Sequence, residues 1–311
     1  MNDFEIGPVG IALGGIFALL AFASALTWLL QLRSDKDYSE LAARIKSWWI
    51  MVGIFTLAIA FNPAFSIVLL GFVSFLAFKE FLSMMSTRRA DRRVIFWGFL
   101  AIPLQFYWVW IGWYGMFIIF IPVYLFLLIP ARMVLAGQTE GFLKAAGTLH
   151  WALMTTVFSI SHAAYLLALP EERNPVAGGA GLMLFLIFLT QFNDVAQYTW
   201  GKLFGKHKVV PKVSPKKTVE GLAGGVLTTT LLAWLIGPYL TPLHGWTAAA
   251  TGLLIGLAGF IGDVVISAVK RDIGVKDSGS LIPGHGGIMD RIDSLTFTAP
   301  LFFHLVYYLH Y

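Results

Sequence analysis

What most restricts the possible folds of this chain is a succession of apolar runs about 20 residues long, the length a helix needs to cross a bilayer. They fall at roughly 8–32, 47–61, 64–84, 94–112, 114–131, 148–169, 178–200, 222–240, 247–269 and 294–310. Over 311 residues the chain is 58% hydrophobic and 13% charged, with a mean hydropathy of +0.75, too few charges to clothe a soluble domain of this size. The expected fold is therefore all-α, a polytopic integral membrane protein of about ten transmembrane helices. The second run is short and is expected to tilt little or to be partly re-entrant. Asn62 and Pro63 predict a tight hairpin after it, and Gly112 to Gly115 predict another between the fourth and fifth runs.

Lysine and arginine concentrate in every second connection. They crowd the first (Arg33, Lys36, Arg44, Lys46), the third (Arg88, Arg89, Arg92, Arg93), the fifth (Arg132, Lys144), the seventh (Lys202 to Lys217) and the ninth (Lys270 to Arg291). The even connections hold only Arg173, flanked by Glu171 and Glu172. Positive loops stay on the cytoplasmic side, so the odd loops are predicted inside and both termini outside, in the cell (inner) membrane. The arginines from 88 to 93 are also suited to anionic lipid head groups. Asp3 and Glu5 stand where a cleavable signal would be positive, and the run after them is too long for its apolar core, so the first helix is expected to be retained.

The net charge of +5 follows from this topology and is no sign of a nucleic-acid partner. Zero cysteines exclude disulfides, thiolate catalysis and cysteine-bound zinc. Up to about residue 190 polar groups keep mainly to loops; from Gln191 onward they enter helix ends and cluster. Residues 1–190 thus read as transmembrane scaffold and 191–311 as the catalytic region.

Three polar groups stand out there. Gln191, Asp194 and Tyr198 share one face of the seventh segment, next to Asn193, and a carboxylate in such a helix end is a functional candidate or a partner for a lysine. The next loop runs from Gly201 to Gly221, with Ser214, Lys216, Lys217, Thr218 and Glu220. Its glycines let backbone amides approach an anion and its lysines suit a polyphosphate, although positive-inside topology alone produces the same lysines. Glu220, four residues after Lys216, is placed to hold that lysine or a metal. In the third group Asp263, Ser267 and Lys270 form a stripe on the ninth segment, and Asp290 and Asp293 share a face at the start of the tenth. These carboxylates form a hard-oxygen site suited to Mg2+, with room for a second cation. His285, between glycines, either donates to a phosphate or steadies the turn. His150, His162, His244 and His304 lie singly and read as packing residues.

Ser267, Lys270, Arg271, Lys276, Asp277, Gly279, Ile282, Pro283, His285, Gly286, Gly287, Ile288, Asp290, Arg291, Ile292 and Asp293 fill every defined position of a signature over about 27 residues. The stretch resembles that of the phosphatidate cytidylyltransferase (CDP-diacylglycerol synthase) family. Ser214-Pro-Lys216-Lys217-Thr218, Glu220-Gly221 and Asn193-Asp194 resemble further motifs of it, and the likeness covers roughly residues 190–295. It implies transfer of CMP from CTP to phosphatidic acid, giving CDP-diacylglycerol and pyrophosphate, with magnesium required and a homodimer expected. By resemblance Asp263, Asp290 and Asp293 match acidic metal positions, and Lys216, Lys217, Lys270, Arg271 and Lys276 match basic ones. Glu220, Asp277, His285 and Arg291 join the catalytic candidates. Asn193, Asp194, Tyr198, Ser214, Thr218, Ser267, Gly286 and Gly287 complete the binding set. Gln197 departs from the pattern, since many relatives carry a small residue there, which leaves room for a different lipid phosphate as acceptor.

The residues suit that chemistry on their own account. A lipid phosphate oxygen is already anionic, so the barrier is repulsion between polyanions, which metal ions and cations relieve. A CTP-dependent lipid-alcohol (polyprenol-type) kinase is the nearest alternative and would release CDP rather than pyrophosphate. A secondary transporter would show paired broken helices in both halves, whereas here the polar residues gather in one.

Overall fold

A computed structural model describes residues 7–33, 37–85, 92–135, 137, 139–279 and 286–311. Every apolar run forms a helical rod: α1 (Pro8–Arg33), α2 (Ser39–Phe61), α3 (Pro63–Met84), α4 (Arg92–Trp110), α5 (Tyr114–Val134), α6 (Phe142–Ala168), α7 (Gly178–Phe204), α8 (Val219–Leu240) and α9 (Gly245–Asp272). A short α10 (Met289–Ile292) then leads into α11 (Leu295–His310). Among the described residues, eight rods are long and apolar enough to cross a membrane. The other two are α4, which opens on Arg92 and Arg93, and α11, only 16 residues long. The chain is an all-α, multi-pass membrane protein.

The run expected to be short is not. α2 reaches back to Ser39, because its polar first turns are helical too and Arg44 pairs with Glu40 one turn away. Asn62 alone separates α2 from α3; its side chain accepts the Phe65 amide at 2.8 Å and Pro63 occupies the first helical position. Gly112, at φ +66°, turns the chain from α4 into α5.

Two rods carry π-helical stretches, Phe120–Leu125 in α5 and Met154–Phe158 in α6. The first contains Pro122, which has no N–H to give the preceding turn. Gln105 of α4 compensates, its amide donating to the Phe117 carbonyl at 3.0 Å and to Ser161 Oγ at 3.1 Å. α6 runs through the middle of this half, with every residue from Ser159 to Tyr165 buried. Phe78, Phe81, Phe117, Phe302 and Phe303 pack around it as the core. His162 sits in that packing, bonded to the Phe158 carbonyl and ringed by Phe117, Phe158 and Phe303.

α7, α8 and α9 form the other half. α7 and α8 approach closely because glycine lines their crossing: a side chain at Gly221 would meet the Gln197 carbonyl at 2.7 Å, and one at Gly225 would collide with the Gln197 side chain. Asn193 ties the three rods together, donating to the Gly256 carbonyl at 3.2 Å and accepting from Thr229 Oγ1 at 3.1 Å.

Candidate active site

Where α7, α8 and α9 converge there is a cavity of about 400 Å³. α7 lines it with Asp194, Gln197, Tyr198, Gly201 and Lys202, α8 and the loop before it with Lys208, Ser214, Lys216, Lys217, Thr218 and Gly221, and α9 with Asp263. Four lysines stand on the wall of this one cavity, together with the carboxylates of Asp194 and Asp263.

Of these lysines, Lys217 is held by an ion pair. Its Nζ lies 2.6 Å from Asp263 Oδ2 and 4.9 Å from the centre of the Phe260 ring. Asp263 accepts on its other oxygen from Ser267 Oγ at 3.1 Å. Asp194 accepts from Ser294 Oγ at 3.0 Å, and Asp293 accepts the Ser294 amide at 2.8 Å. Asp194, Asp263 and Asp293 therefore gather from three separate elements within coulombic range of one another, with Arg291 near Asp194 and Lys270 near Asp293. Burial, then the charges of Asp263 and Asp194, push the Asp293 carboxyl well above the usual carboxylate range.

Asp290 stands apart from these three. Its Oδ1 takes Lys270 Nζ at 2.6 Å, and its Oδ2 accepts from the amides of Ser278 and Gly287, both at 3.0 Å, and from Ser278 Oγ at 2.9 Å. Burial pushes its carboxyl up, but the Lys270 ammonium and these donors more than offset that and hold it below the ordinary value. Its oxygens join Ser278 to Gly287. Gly286, at φ +80°, and Gly287 fit the same plan: a side chain on the first would strike Asp290, and on the second Glu80. Their openness accommodates protein carboxylates.

Other candidates take different places. Glu220 holds neither Lys216 nor the acidic cluster; it pairs with His207 Nδ1 at 2.6 Å and accepts the Lys206 amide at 3.0 Å, pinning the loop beside the cavity. Asn193 is spent on the rod contacts described above. Arg271 donates to the Val213 and Val275 carbonyls, and Lys276 and Asp277 are exposed beside the loop. Thr218 accepts the Gly221 amide at 3.1 Å as the cap of α8. His285 lies outside the described residues, as do Arg88, Arg89 and Lys36.

Lys202 and Lys208, which line the cavity, and Ser278, Ser294 and Glu80, which bond its carboxylates or the signature residues, are not singled out by the sequence motifs. Glu80, near the end of α3, accepts from Ser278 Oγ and from the amides of Ile288 at 2.9 Å and Met289 at 3.0 Å. A lone carboxylate inside an apolar run was the available signal.

A cytidylyltransferase-family model matches residues 42–309, so the chain belongs to the cytidylyltransferase family. It is 46% identical over 301 residues to "Uncharacterized protein YnbB" of Escherichia coli (strain K12), covering 96% of this chain and 99% of that one. It is 40% identical over 167 residues to "Phosphatidate cytidylyltransferase" of Mycobacterium leprae, covering 53% of this chain and 51% of the relative. Against the protein of that name from Staphylococcus epidermidis it is 42% identical over 125 residues, 40% of this chain and 48% of the relative. The match thus spans about half the length of the relatives so named. Family and fold together make the chain a membrane-bound nucleotidyltransferase.

Proposed function

We propose that the chain transfers CMP from CTP to phosphatidic acid or a closely related lipid phosphate, yielding the CDP-lipid and pyrophosphate. The observation that carries this reading is the cavity itself: lysines on its wall, with the Asp194, Asp263 and Asp293 carboxylates gathered beside Lys217. In the reaction a phosphate oxygen of the lipid bonds to the α-phosphorus of CTP as the bond from that phosphorus to the β-phosphate oxygen breaks. The electron pair leaves on pyrophosphate, and no base is required because the attacking oxygen is already anionic. Lys202, Lys208 and Lys216 draw the two polyanions together and offset their repulsion. Lys217, on the cavity wall, and Arg291, close to Asp194, would offset the charge that grows on the leaving group.

The donor set fits Mg2+ in kind. Among the described residues the cationic partners of Asp194, Asp263, Asp290 and Asp293 are Lys217, Lys270 and Arg291, so carboxylates outnumber cations. Among the described residues no three acidic or imidazole side chains already surround a common point at ligand spacing. Asp263 and Asp293, with Asp194, would hold the ion, and Asp290 would support them through Lys270. When bound, the metal supplies positive charge to the phosphates. The odd loops, and with them the cavity, are assigned to the cytoplasmic face, and the protein to a homodimer in the inner membrane.

Purified protein in lipid nanodiscs, given CTP, Mg2+ and phosphatidic acid, should release pyrophosphate and form CDP-diacylglycerol. Release of CDP with phosphorylation of a lipid alcohol would establish the kinase instead, and neither product would defeat both.

A further inference from the structure

Glu80 comes from the half of the chain that otherwise supplies apolar scaffold, yet it is bound to the signature loop at three points. Ser278 Oγ donates to its Oε1, the Ile288 amide to its Oε2 at 2.9 Å, and the Met289 amide to its Oε1 at 3.0 Å. Gly279 and Gly287 lie against the same carboxylate, and a side chain at Gly279 would come within 3.1 Å of Glu80 Oε2. Asp290 grips the opposite side through the Ser278 and Gly287 amides and ties it to Lys270. Ser278 Oγ stands between the two carboxylates, and its single hydrogen can serve only one at a time.

We propose that Glu80 is a positioning residue for the transfer site. The successive backbone amides of Gly287, Ile288 and Met289 are fixed by two carboxylates from different parts of the chain, so α10 enters at a set angle. Arg291 lies on α10 and Asp293 follows directly after it, and that angle decides whether they face Asp194 and Asp263. A shift of about 1 Å at such groups is enough to cost a hundredfold in rate. Glu80 touches no substrate; it acts through the loop. Only the kinetic half of the claim rests on the reaction proposed above.

The test uses the full chain in nanodiscs and the isosteric variant Glu80→Gln, which keeps the size but replaces one acceptor oxygen with a donor group. Hydrogen exchange at residues 278–279 and 287–289 should quicken by about tenfold while α7, α8 and α9 keep wild-type protection. kcat should fall by about tenfold to a hundredfold, with KM for CTP and for the lipid held within about twofold. Unchanged exchange in the loop overturns the proposal, and so does a uniform rise across all helices or a wild-type kcat. If Glu80→Gln fails to fold, Glu80→Asp, whose carboxylate is withdrawn by one methylene, is read by the same criteria. If the wild type forms no CDP-lipid the reaction is wrong, and exchange alone decides the role of Glu80.

Discussion

Lys270 and Asp290, 20 residues apart in the chain, meet as a buried ion pair with Nζ 2.6 Å from Oδ1 and side chains only 10% and 8% exposed. The pair joins the end of α9 to α10, the short helix that leads into Asp293. Removing one partner of such a pair strands the other, which costs about 3–5 kcal/mol. Lys270→Met should therefore lower the melting temperature markedly. The double variant Lys270→Met/Asp290→Asn should lose less than the sum of the two single changes, because the pair acts as one unit. Thermal unfolding followed by tryptophan fluorescence reads both, and strict additivity would show that the two do not interact.

Acid should loosen the same contact. The folded-state carboxyl of Asp290 titrates below its ordinary value, so its stabilising contribution is fully present above about pH 4 and is lost as pH falls through the depressed value. The melting temperature should drop on acidification below about pH 4, and that part of the drop should vanish in Asp290→Asn. An identical acid profile in the variant would remove Asp290 from the account.

Metal uptake should release protons. Asp293 holds its proton to unusually high pH, through burial first and then the charges of Asp263 and Asp194, and a bound cation must displace that proton. Mg2+ affinity should accordingly strengthen as pH rises. Calorimetric titration in two buffers of different ionisation enthalpy should give different apparent heats; equal heats would mean that no proton leaves and that Asp293 takes no part.

Gln197 and Gly225 form a matched pair across the α7–α8 crossing. Gly225→Ala would press against the Gln197 side chain and come within 3.0 Å of its backbone nitrogen, a collision expected to cost about 1–3 kcal/mol. Adding Gln197→Ala should recover part of the loss by removing the side-chain clash. If the double variant melts no higher than Gly225→Ala alone, the backbone contact is the one that matters.

The rods were legible because lipid selects for apolar length whatever the tertiary packing, and the tight turns at Asn62 and Gly112 carry their own local chemistry. Rod starts such as Ser39 and Phe142 were less so, since polar residues outside lipid leave no mark in a hydropathy count. Within the site, Asp194, Lys217, Asp263 and Asp293 stood out because charge beside apolar sequence must be compensated. The roles of Asn193, Glu220 and Gly287 were hidden. Each is fixed by a partner on another element, and spacing along one helix says nothing about which distant atom will meet it. Glu80 is the extreme instance, lying 198 residues from Ser278.

That reach across the chain has a practical corollary. A fragment beginning near residue 190 would keep every residue of the signature and lose the α3 carboxylate that anchors it. Excised pieces or hybrids built around the C-terminal region would need α3 from the same parent to hold the loop in shape.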